Sequence, residues 1–109
     1  MATRTKILVV DSDLDTLSRV YLALVHRNYK AEASDKAEEI QERVKRLRPA
    51  LLILGKKEYL FYFEKLKMPC IVLWDNEEPA SIRFPDDVFM IKKPIQLESL
   101  IHMIQEVVY

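Results

Sequence analysis

At 109 residues the chain fits one domain with one core, taken as residues 1–109, and leaves no room for a second. Half of it is apolar and 31% is charged, which excludes a disordered chain. Its 17 basic residues equal its 17 acidic ones, so no net field draws the domain onto nucleic acid or anionic lipid.

Short apolar runs alternate with helix-period stretches from end to end. The run Ile7-Leu8-Val9-Val10 stops at Asp11 and reads as a strand buried on both faces. Leu14, Leu17, Tyr21, Leu24 and Val25 recur at three- and four-residue steps and predict a helix with one apolar stripe. Ser12 or Asp13 supplies its N-cap. A short strand follows at Ala31 to Ala33. Ser34 or Asp35 then starts a second helix, with Ala37, Ile40, Val44 and Leu47 inward and Pro49 beyond its end. The cations Arg43, Lys45, Arg46 and Arg48 suit the C-terminus of that helix better than a nucleic-acid patch.

Leu51-Leu52-Ile53-Leu54 is a third strand, stopped by Gly55. Glu58 to Lys67 reads as a short helix whose aromatics would also suit a strand. A ten-residue helix there buries one stripe, such as Tyr59, Tyr62, Phe63 and Leu66, and turns Leu60 and Phe61 outward as a candidate partner surface, with extra core burial beside the short neighbouring helix as the equal alternative. Cys70 to Trp74 is a fourth strand, Asp75 to Asp87 is mostly loop, and Val88 to Ile91 is a fifth strand. Leu97, Leu100, Ile101, Ile104 and Val108 form a closing helix behind Pro94.

Such alternation implies a parallel sheet covered on both faces, in a doubly wound, flavodoxin-like α/β fold with strand order 2-1-3-4-5. The carboxyl ends of strands 1, 3, 4 and 5 then share one crevice, rimmed by Asp11-Ser12-Asp13, Gly55-Lys56-Lys57, Trp74-Asp75 and Lys92-Lys93-Pro94.

Several chemistries are excluded. One glycine cannot build a G-x-G-x-x-G or G-x-x-x-x-G-K phosphate loop, and no H-E-x-x-H or C-x-x-C pattern occurs. His26 and His102 sit alone in helical patterns and read as helix residues rather than ligands. The lone Cys70 lies in an apolar run, which suits a core position in a reducing, cytoplasmic setting. No apolar stretch approaches membrane-spanning length.

Lys6-Ile-Leu-Val-Val-Asp11, Arg48-Pro49-Ala-Leu-Leu-Ile-Leu54 and Lys93-Pro94 together resemble the receiver domain of response regulators, over nearly the whole chain. That resemblance implies an acidic pair after strand 1 for Mg²⁺, an aspartate phosphoacceptor after strand 3, a Thr or Ser after strand 4 and a Lys after strand 5. Here Asp11 matches the first acid but the second position falls on Ser12, the acceptor position is Gly55, the hydroxyl position is Trp74, the strand-5 aromatic position is Met90 with Phe89 one place away, and beyond strand 1 only Lys93 is retained. The helix 3 and helix 4 regions are also shorter than usual for the family.

A glycine has no carboxylate with which to form an acyl phosphate, and losing two of three metal ligands implies lost or weak Mg²⁺ binding, so no cofactor is expected. Lys93, helped by Lys57, is expected to pair with Asp11 or Asp13 in place of the metal, as a structural ion pair rather than a functional one. Trp74 is expected to fill space a phosphoryl group would need. The expectation is a degenerate, non-enzymatic receiver that acts through a protein partner or attached effector domain. A homodimer is one form of such a contact, and the apolar Val107-Val108-Tyr109 end is a candidate for it. Two alternatives stay open: a displaced phosphoacceptor at Asp13 or Asp75, and a small-anion or nucleotide sensor using Lys56, Lys57 and Lys93.

Overall fold

The computed structural model describes residues 5–56, 68–74, 88–92 and 95–108, and only the backbone of Trp74. The strands are β1 (Lys6–Val10), β2 (Lys30–Ser34), β3 (Leu51–Leu54), β4 (Cys70–Trp74) and β5 (Val88–Lys92), and the helices are α1 (Leu14–His26), α2 (Ile40–Leu47) and α3 (Leu97–Val108). All four strand pairings are parallel, and the order is β2-β1-β3-β4-β5, as the alternation predicts.

Alternation along the strands divides the core into two layers. Ile7 and Val9 of β1, Leu51 and Ile53 of β3, and Ile71 and Leu73 of β4 pack with Leu17, Val20 and Leu24 of α1 and Leu100, Ile101 and Ile104 of α3. On the opposite face Leu8, Val10, Leu52, Leu54 and Cys70 pack with Ile40 and Val44 of α2. The central strands, β1 from Ile7 onward and β3, are therefore apolar at every position, and β3 is buried throughout.

Three expectations require correction. The buried stripe of α1 is Leu17, Val20 and Leu24, whereas Leu14, Tyr21 and Val25 are exposed. Two apolar stripes lie side by side on this helix, and three- and four-residue spacing does not say which one meets the sheet. The second helix starts late. Ser34 ends β2, and its hydroxyl accepts the Lys36 amide rather than capping a helix. A 3-10 turn at Ala37–Glu39 precedes α2. Finally, β5 is an edge strand, and Phe89 and Met90 stand 39% and 41% exposed rather than covered on both faces.

Helix ends account for the two left-handed residues among those described. Asn28, just past α1, has φ 68°, and Arg48, the C-cap of α2, has φ 51°. Both are positions where glycine is ordinarily preferred. No glycine has positive φ, so the chain's single glycine, Gly55, is not there for backbone freedom.

Candidate functional site

The site lies at the carboxyl ends of β1 and β3. Register pairs Val10 with Leu54, and the Gly55 amide donates to the Val10 carbonyl at 2.7 Å, carrying the β1–β3 contact one residue beyond the strands. That places Asp11 beside Gly55. In a parallel pair, neighbours in register point to the same face, so the Asp11 side chain and any side chain at position 55 compete for one space. Asp11 holds it. A β-carbon built on Gly55 would stand 2.5 Å from Asp11 Oδ1 and nearer still to Cγ and Oδ2, closer than non-bonded atoms approach.

Asp11 is fully buried, and its position is set from several directions. Its amide donates to the Ser34 carbonyl at 3.1 Å, tying the end of β1 to the end of β2. Its Oδ1 accepts the Asp13 amide at 2.9 Å, which fixes the turn leading into α1. Asp13 in turn is the N-cap of α1: Oδ1 accepts the Asp15 amide at 3.1 Å, and Oδ2 accepts the Thr16 hydroxyl at 2.8 Å. Of the two cap candidates, Asp13 is the one used, while Ser12 is exposed. The roles of Ser34 and Thr16 escape the sequence reading. Thr16 is not the Glu or Gln of a capping box, and nothing local links Ser34 to Asp11.

Among the remaining predicted site residues, Gly55 is buried and Lys56 is exposed beside it. Trp74 ends β4 in register with Lys92 of β5. Lys57, Leu60, Phe61, Asp75, Lys93 and Pro94 lie outside the described residues, as do Tyr109 and the helix 3 and helix 4 regions expected to be short. The expected pairing of Lys93 with Asp11 and the outward face of Leu60 and Phe61 fall outside the described residues with them.

Mg²⁺ takes an octahedral set of oxygens, commonly with one or two carboxylates. Among the described residues the set at this rim is incomplete. Asp11 is packed over Gly55, Asp13 uses both oxygens on its own helix, and position 55 has no side chain. Among the described residues no three His, Cys, Asp or Glu side chains converge to hold a metal.

Away from the rim, the basic residues of α2 have a specific partner. Glu32 of β2 accepts Arg43 at 2.6 Å and Arg46 at 2.5 Å, and Arg43 also contacts Glu39 at 2.8 Å. These cations bind the edge strand to α2, a more specific role than favouring a helix C-terminus. His102 is an exposed helix residue 3.1 Å from Glu106, and Cys70 is buried, as the sequence predicts for both. No helix among the described residues is long and apolar enough to cross a membrane.

No family model matches the sequence, and no curated protein matches it. Solved structures do match the fold. A CheY-like response regulator receiver domain protein from Methanospirillum hungatei JF-1 superposes with a TM-score of 0.78 at 21% identity, covering 97% of this chain and 94% of that one. The chemotaxis response regulator CheY4 of Vibrio cholerae gives 0.79 at 18% identity, covering 96% and 99%. NtrX from Brucella abortus, solved in complex with ATP, gives 0.79 at 17% identity over 97% of this chain, which spans only 27% of the NtrX chain. At these identities the likeness establishes architecture. The chain has the flavodoxin-like fold of response-regulator receiver domains.

Proposed function

We propose that this chain is a receiver-fold signalling module that takes no phosphoryl group at the end of β3 and acts by contact with a protein partner or an attached effector domain. The observation that carries this reading is Gly55 lying beneath the Asp11 carboxylate. An acyl phosphate forms when a carboxylate oxygen attacks phosphorus. Position 55 has no oxygen to attack with, and the space its side chain would need is taken. Asp11 is a poor substitute, since it is fully buried and already holds the Asp13 amide.

In a phosphorylated receiver the phosphoryl group biases a two-state element. A chain without an acceptor has its equilibrium set by its own sequence or by whichever partner binds one state better. The module then has no enzymatic step and needs no resident Mg²⁺.

Incubating the full chain with acetyl phosphate, or with beryllofluoride and Mg²⁺, tests this by intact mass and by Trp74 fluorescence. The expected result is an unchanged mass and an unchanged spectrum. A stoichiometric phosphoryl adduct ends the reading, and mapping it to Asp13 or Asp75 assigns a displaced acceptor instead.

A further inference from the structure

Helix α1 carries more apolar surface than the core uses. Leu17, Val20 and Leu24 face the sheet, while Leu14, Tyr21, Leu22 and Val25 remain 61%, 36%, 54% and 46% exposed. Among the described residues the only other exposed large apolar side chains are Phe89 and Met90, on β5. Leu14, Ser18, Tyr21 and Val25 follow one another at steps of four, three and four residues, the spacing of a two-helix seam, and Leu22 flanks it. At 1.5 Å per residue the seam is about 16 Å long.

We propose that this seam docks a second copy of the chain, α1 against α1 and antiparallel, with the two-fold axis at the level of Arg19 and Val20. Size complementarity favours this occupant. In that register Leu14 meets Val25 of the second copy, and Ser18, the smallest side chain of the seam, meets Tyr21, the largest. Because the contact is isologous, each match occurs twice.

Charge favours the antiparallel direction. Asp13 and Asp15 stand at the N-terminal end of α1, and His26 and Arg27 at its C-terminal end. Antiparallel pairing sets acidic end against basic end at both ends of the seam and opposes the two helix dipoles; parallel pairing sets like against like. A few exposed side chains per copy fall short of the ~800 Å² per partner of a standard interface, so the dimer is weak and reversible. Neither Asp11 nor Gly55 belongs to this face, so the inference stands apart from the phosphate reading.

Sedimentation equilibrium of the full chain from micromolar to millimolar concentration tests it. A reversible monomer–dimer equilibrium is expected, weakened at least about tenfold by Val25→Lys or Leu14→Lys. Thermal unfolding followed by circular dichroism is expected to stay unchanged in both variants, because those side chains are exposed. Direction is read by mixing Ser18→Cys with Tyr21→Cys under mild oxidation, where disulfides between the two variants outnumber those within either; the native Cys70 is buried and does not compete. Three results each overturn the proposal: a monomer throughout the range, a dimer that the lysine variants leave intact, or cross-links dominated by Ser18→Cys with itself. A seam covered only by a different protein shows up as the first of these.

Discussion

The carboxylate of Asp11 occupies the space a β-carbon on Gly55 would need, and each residue limits what the other position can hold. Glycine is ordinarily retained where φ is positive, yet here the left-handed positions are Asn28 and Arg48 and the glycine has no positive φ. What Gly55 supplies is the missing β-carbon. The two residues are 44 positions apart, taking 55 minus 11, and are brought together by the β1–β3 register.

Gly55→Ala therefore overpacks the end of β3 and is expected to destabilise the fold by about 1–3 kcal/mol in urea unfolding. Asp11→Gly empties the contested space, so the double variant should be more stable than the two single losses predict, by roughly 1 kcal/mol of coupling. Strict additivity would show that Asp11 moves aside without cost. For the same reason Gly55→Asp alone is expected not to restore phosphorylation by acetyl phosphate, as read by intact mass.

The cap of α1 makes a second quantitative expectation. Asp13 accepts from both the Asp15 amide and the Thr16 hydroxyl, so Asp13→Ala should cost about 1 kcal/mol, and Asp13→Ser should recover most of it. Chemical denaturation of the three proteins checks this. A neutral Asp13→Ala would mean that water replaces the cap.

The two stripes of α1 should separate cleanly on substitution. Leu24 is fully buried between α1 and the sheet, and Leu24→Ala is expected to cost on the order of 3 kcal/mol, an amount typical of a core leucine. Leu22, two residues away and 54% exposed, should change stability by less than about 0.5 kcal/mol as Leu22→Lys. Comparable losses in the two variants would place the helix in a different rotation about its axis.

Glu32 holds two arginines, and its side chain is 25% exposed, so its pairs are partly shielded from water. Glu32→Ala leaves Arg46 without its carboxylate partner and Arg43 with Glu39 alone, one turn apart on α2, and about 1 kcal/mol of stability should go with it. Salt offers the check: the loss should shrink as ionic strength rises, since screening weakens the network in the parent.

The strands, their order and the glycine that ends β3 were all legible in the linear sequence. Runs such as Ile7 to Val10 and Leu51 to Leu54 are apolar at every position, which only a doubly covered strand tolerates, and the identity of residue 55 by itself rules out a carboxylate there. Tertiary structure decided the rest. It alone shows that Asp11 fills the space above Gly55, that Ser34 anchors Asp11, that Glu32 gathers the arginines of α2, and that α1 buries Val20 rather than Tyr21. The division has one physical cause. Periodicity and turn chemistry act over a few neighbouring residues, whereas parallel strands joined by crossover helices set side by side residues that are far apart along the chain, and no local pattern reports which of them will touch.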